Sequence, residues 1–359
     1  MSPATFLETI GSLTVQITLM IGVVAWITYR RQAAAAADWT WTALHASVLL
    51  VTGAAFLLPH LRPVTWAALC VTSESASTQN AIDTGGRLLF WLWLSGVGVM
   101  LTAIAAGMWR ASILVRNSEP NVRLSRLLAE SMANLGISPT PIEVRVSAIC
   151  VSPFCWQLHW PAVVVPDLLL DFPLDEQRAV LNHELVHLSA QHPLCLFLQR
   201  IVEAIFWFHP LVWWASREAA AAREFRCDAQ AVVSRQEVAV YLQSLLRLIE
   251  ARIPTPTALP AGLGFLGDAS LLSRRANLLA ETVGERAVRI RKVPTIMALV
   301  LISVACLTIW LPLNPHASRR TSWSPWPMWS ARVLNASGIE VRDYEVDGHR
   351  LAAHEQPGA

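Results

Sequence analysis

The sequence predicts a polytopic α-helical membrane protein with one α+β domain inserted between its third and fourth spans. Three observations lead there. Hydrophobic residues make up 54% of the chain and charged residues 15%, where a soluble chain carries about a quarter charged residues. Mean hydropathy is +0.42. About four stretches reach the roughly 20 apolar residues that a helix needs to cross a hydrocarbon core, and the segment between the third and fourth mixes strand and helix periodicities.

The expected spans are residues 10–29, 41–58, 88–109 and 293–313. Sixteen Trp against three Tyr suit a chain with many headgroup-level positions. The first span does not read as a cleaved signal peptide, because it lacks a basic leader and ends at Arg30-Arg31 instead of small residues. Basic residues cluster after the first span (Arg30, Arg31), after the third (Arg110, Arg116, Arg123, Arg126) and before the fourth (Arg286, Arg289, Arg291, Lys292). Positive charge stays on the cytoplasmic side, so the N-terminus, the 59–87 loop and the tail 314–359 are expected outside and residues 110–292 inside. A net charge of +2 gives no basis for nucleic-acid binding. The six cysteines are scattered without a CxxC, so they read as buried thiols.

Within 110–292, residues 121–135 carry an amphipathic helical pattern that Gly136 ends. Residues 142–146 alternate as a strand. Residues 162–165 read as a buried strand, and the bracketing Pro161 and Pro166 suggest an edge position. Asp171-Phe172-Pro173 opens a helix that runs to about residue 190, with Asp175 and Glu176 at the positive end of its dipole. A second helix, with a break, is expected over 212–250. Between them, 194–214 is apolar but contains Gln199, Arg200, Glu203 and the His209-Pro210 break. It reads as a helix dipping into the membrane interface or, alternatively, as a buried connection inside the domain.

His183-Glu184-Leu185-Val186-His187 is HExxH. On a helix, this spacing sets two imidazoles one turn apart, able to reach one tetrahedral Zn2+. Glu184 beside them can act as general base. The domain is therefore expected to be zincin-like, of the gluzincin type in which a later Glu completes the ligand set. Glu224 fits as that third ligand, and Asp228, one turn on, as the carboxylate that fixes a ligand histidine.

HELVH, the following Phe206-Trp207-Phe208-His209-Pro210, and Arg223-Glu224-Phe225-Arg226-Cys227-Asp228 together resemble the BlaR/MecR-type membrane zinc metallopeptidases. The upstream Ser152-Pro153-Phe154 and Pro161 to Pro166 are also similar to that family. The resemblance implies a peptidase domain over 110–292 in a bacterial inner membrane, with His183, His187 and Glu224 as zinc ligands, Glu184 as base and Asp228 behind them. It implies a protein or peptide substrate such as a transcriptional repressor, lying along the strand near Val163, cleaved when a signal arrives. A membrane quality-control peptidase and a non-catalytic signalling scaffold are the other expectations.

Two positions depart from the family. His192 stands where an Asp is usual, five residues after the second ligand histidine, and Gln157 where a Gly is usual. His192 reads first as a surface histidine, with a polar group near the metal as the alternative. Tyr241 and His209 are candidates for stabilising an oxyanion. Arg274-Arg275 reads as a membrane anchor, or as a processing site. The tail 314–359 has a Trp-rich start and a hairpin pattern over 331–346 without an SxxK, so direct β-lactam sensing is not expected.

Overall fold

The computed structural model describes residues 3–31, 37–57, 76–137, 141–158, 160–232, 235–250, 269–282 and 292–306. The chain opens with three helices, α1 (Pro3–Arg31), α2 (Asp38–Leu57) and α3 (Ala76–Asn117). Among the described residues, Phe6–Tyr29 in α1 and Asp83–Asn117 in α3 are long and apolar enough to cross a membrane. The other two expected spans overlap α2 and α10 (Lys292–Cys306), which as described do not meet that test; residues 58 and 307–313 lie outside the described residues, as does the 331–346 hairpin.

A mixed four-stranded sheet follows, built from β1 (Glu119–Pro120), β2 (Glu143–Ser147), β3 (Phe154–Trp156) and β4 (Ala162–Pro166) in the order β1-β2-β4-β3. β2 and β4 run parallel, and β3 pairs antiparallel with β4 from Phe154↔Val164 to Trp156↔Ala162. β4 is therefore interior, and the outer position belongs to β3. The edge expectation failed because Pro161 and Pro166 flank the strand at the ends of its ladder, leaving the N–H groups of Ala162 to Val165 free to pair. Both faces of β4 are buried, as a continuous apolar run requires. Val163 and Val165 meet α4 (Val122–Asn134) and α5 (Leu174–Ser189), while Ala162 and Val164 meet Ala111 and Val115 at the end of α3.

α4 ends where its sequence suggests, Gly136 taking φ 64° just past its end, and at its start the Asn121 side chain accepts from Leu124 N–H at 3.0 Å. α5 differs in detail. Asp171 closes a 3-10 turn, Asp167–Asp171, and Pro173 is the N-cap residue. Asp175 and Glu176 do lie in the first turn.

Residues 194–214 form the greater part of a helical hairpin, α6 (His192–Ile205) and the start of α7 (Pro210–Ala231), with a turn between them. At 14 residues, α6 is about 21 Å long, short of the ~30 Å of a hydrocarbon core. Its polar groups pair inside the protein: Arg200 with Glu203 at 2.6 Å, Gln199 with Glu203 at 2.9 Å, and Arg223 with Gln199 at 2.7 Å. The helix expected over 212–250 breaks after α7, and α8 (Arg235–Glu250) and α9 (Ala269–Thr282) complete the domain.

The hairpin shares one apolar cluster with the N-terminal helices. Ala215, Ala219 and Ala222 line one face of α7 and pack with Leu13, Ile17, Trp41, Leu44 and Val48 of α1 and α2. The Trp41 and Trp214 rings meet edge to face at 5.7 Å. On α3, Gly96 is needed because a Cβ there would overlap the Trp207 indole of the hairpin turn. Trp93 Nε1 meanwhile donates to Ile205 O at 2.9 Å.

Gly96→Ala is expected to displace that indole and destabilise the detergent-solubilised protein by about 1–3 kcal/mol in thermal unfolding. Gly98→Ala, with nothing within 4 Å of the new Cβ, should leave stability unchanged or raised.

Candidate metal centre

α5 divides its side chains between two tasks. Val180, Leu181, Leu185 and Leu188 enter the core under the sheet. The helical period turns His183 and His187 towards α7, which presents Glu224 and Asp228 one turn apart in return. His183 Nε2 lies 3.1 Å from His187 Nε2 and 3.5 Å from Glu224 Oε2. His187 Nε2 lies 3.5 Å from Glu224 Oε1. These three donors all fall within 4.8 Å of one another. Four ligands about 2.0–2.1 Å from a tetrahedral ion sit about 3.3–3.4 Å apart, so the set fits one metal ion. A fourth direction opens into a cleft of about 540 Å³.

Behind the donors, charges are matched. Asp228 Oδ1 is 3.2 Å from His183 Nδ1 and accepts from Tyr241 OH at 2.7 Å. Arg275, from α9, grips Asp228 with Nε at 2.8 Å and Nη2 at 2.7 Å, a two-point contact. Its Nη1 reaches Glu224 Oε2 at 3.1 Å. Arg275 is 2% exposed, so it is neither a membrane anchor nor a processing site. Its partner Arg274 stacks over the Phe225 ring at 5.4 Å.

Burial alone would lower the His183 pKa, but the Asp228 and Glu224 carboxylates outweigh it and raise it to about 9. His187 is pushed well below its usual range, first by burial and then by the charge of His183. Burial would raise the Glu224 carboxyl, yet Arg275 and the two histidines hold it well below the usual range. The same opposition, led by Arg275 against burial, lowers Asp228. Glu184 is raised, chiefly by burial.

Glu184 does not join the three donors. It faces β3, where Cys155 Sγ donates to Glu184 Oε2 at 3.0 Å. Burial and the nearby carboxylates push the Cys155 thiol well up, so it stays protonated and donating. Gln157 Nε2 reaches Leu188 O at 3.4 Å on the same wall of the cleft, and its Oε1 is buried without a hydrogen-bond partner.

Tyr241, an oxyanion candidate by sequence, instead spends its hydroxyl on Asp228 and, at 2.8 Å, on His183 Nδ1. His209, the other candidate, faces α1, with Nε2 3.2 Å from Thr18 Oγ1. His192 is not a surface residue: it is 3% exposed, with Nδ1 3.0 Å from His187 Nδ1. The cause is the α5–α6 corner, where Gln191 adopts φ 56°, ψ 31° and folds the start of α6 back onto α5. Cys155 and Arg275 were missed by sequence reasoning as parts of the site. Arg275 left one signal, since it stands four residues before Leu279 on the buried face of α9.

Residues 11–279 match the family described as BlaR1 peptidase M56. The regulatory protein BlaR1 of Bacillus licheniformis is 28% identical over 167 residues, which are 46% of this chain. The chain spans 27% of that relative's length.

The raised His183 pKa sets a pH dependence. In the metal-free protein, protonated His183 contributes stability that is fully present below about pH 6.5 and is lost as the pH rises through about 9. A bound ion must displace that proton, so metal affinity should climb about tenfold per pH unit across this window. Competition titration with a chromophoric chelator checks it; a flat profile would show that His183 gives up no proton to the metal.

Proposed function

The chain belongs to the BlaR1 peptidase M56 family, and from that membership we propose that it is a membrane-bound zinc endopeptidase with a regulatory role. Its domain of residues 110–292 faces the cytoplasm and cleaves a protein there, such as a transcriptional repressor, when a signal arrives through the membrane helices. The observation that carries the reading is the convergence of His183, His187 and Glu224 on one point, with Glu184 on the wall of the same cleft. Membrane attachment is supported by α3, whose Leu88, Trp91, Leu92 and Val99 are all exposed. Such a surface is suited to lipid and unsuited to water.

His183 and His187 through Nε2, with Glu224, would hold the zinc. The ion would supply Lewis-acid chemistry there, acidifying water and polarising a carbonyl. Glu184 takes a proton from the attacking water and returns it to the leaving amine. Its raised pKa suits both halves of that task, and the Cys155 thiol holds the carboxyl in place through Oε2. Asp228, clamped by Arg275 and Tyr241, fixes the Nδ1 side of His183 and so its orientation.

The substrate strand pairs with β3 and not with β4, since β3 holds the outer edge of the sheet beside Glu184. Met100, Ile104, Met108, Phe154, Leu194 and Phe197 line the cleft beyond it. The segment that enters therefore presents apolar side chains around its scissile bond.

Glu184→Gln is expected to reduce cleavage by about 10²–10⁴-fold while the purified protein keeps its metal. Comparing new protein termini in cells carrying the native chain or the variant reads this directly. Unchanged cleavage in the variant would remove Glu184 from the mechanism.

A further inference from the structure

A chain of polar contacts links the start of α2 to the metal centre. Asp38, the first residue of α2, is buried. Its Oδ2 lies 3.6 Å from His192 Nε2, and the same oxygen accepts from Arg226 Nη1. His192 Nδ1 in turn lies 3.0 Å from His187 Nδ1. Proton counting leaves one arrangement. When His187 ligates through Nε2, its Nδ1 carries the hydrogen. That N–H donates to His192 Nδ1, so the single proton of a neutral His192 sits on Nε2. Among the described residues Nε2 has no hydrogen-bond partner, and it faces the Asp38 carboxylate across 3.6 Å as an electrostatic contact.

Cys227 Sγ, 3.4 Å from His192 Nδ1, makes a second reading available, an ion held by His187, His192 and Cys227. That reading would strip His187 of its last ring proton while Nε2 is engaged, so the geometry favours the polar chain. Arg226 lies two residues after Glu224 on α7, and Asp38 thus touches both helices that converge on the metal: α7 directly and α5 through His192.

We propose that Asp38 is a positioning residue for the metal centre: through His192 it fixes the ring and tautomer of His187, so that the seating of α2 against the α6–α7 hairpin sets metal affinity. The inference rests on the reading of His187 as a ligand. It supplies the place where a displacement of an N-terminal helix would be felt by the catalytic machinery.

The test is zinc affinity of the purified full-length protein, by chelator competition, with thermal unfolding of the metal-free form as a parallel readout. Asp38→Asn and His192→Ala should each weaken zinc binding about 10–100-fold, and the double variant should be no worse than either single one, because the three groups act as one unit. His192→Asp places a carboxylate directly behind His187 and should make affinity insensitive to Asp38→Asn. Arg226→Gln breaks the other contact of Asp38; if it lowers affinity as much as Asp38→Asn, and His192→Asp does not rescue, Asp38 acts only by holding the helices together and the proposal fails. Unchanged affinity in Asp38→Asn, or additive losses, would also overturn it. Two zinc ions per chain, falling to one in Cys227→Ala, would establish the second ion site in its place. His187→Ala separates this inference from the reading it rests on: if that variant binds zinc normally, the ligand assignment is what failed.

Discussion

Two carboxylates one turn apart on α7, Asp228 buried and Glu224 half-buried, impose the constraint around which the rest of the domain is arranged. Glu224 and Asp228 repel each other, and each would gain a proton if left alone in an apolar interior. Cationic partners prevent this. Arg275 bonds both, and protonated His183 stands between them until a metal ion at the Nε2 atoms takes the place of its proton. This accounts for the presence of α9, a helix remote in sequence that delivers one arginine into the interior. It also accounts for the unequal histidines: His183 holds a proton between the two acids, while His187 is kept neutral.

The same helix that carries the acids has a second allegiance. One face of α7 presents Ala215, Ala219 and Ala222 to α1 and α2, and the other presents Glu224 and Asp228 to α5. Small side chains on the first face let α2 approach closely enough for Asp38 to meet Arg226 and His192. Packing and electrostatics are thus set by one alternation along one helix. A rotation of α7 would disturb both together.

Much of this was legible in the sequence, and the failures have physical causes. The HExxH spacing, the amphipathic pattern of 121–135 and Gly136 are local signals, in which the residue and its partner lie within a turn or two. Glu224 and Asp228 were found because an i, i+4 pair on a helix is also local. β4 was misplaced because a proline beside a strand looks the same whether it sits at an edge or beyond the end of a ladder. His192 was misread because its burial depends on the left-handed Gln191, an uncommon conformation outside glycine and asparagine. Arg275 meets Asp228 across 47 residues, and Asp38 meets α6 and α7 from another part of the chain altogether. Periodicity can place such a residue on a buried face, as it does Arg275, but it does not name the distant partner.

One feature of α3 governs how the domain is mounted. Its apolar segment Asp83–Asn117 counts 35 residues, about 52 Å of helix against the ~30 Å of a hydrocarbon core. The second half of this helix is not a spacer. Met100 to Ala111 wall the cleft, and Ala111 and Val115 fill the far side of the sheet under Ala162 and Val164. There is consequently no soft joint between the anchor and the chamber: beam and bearing are one piece of helix. A fragment that began after α3 would leave behind a wall of the cleft and the Ala111 and Val115 side chains under the sheet, and so would not be a smaller version of the same machine.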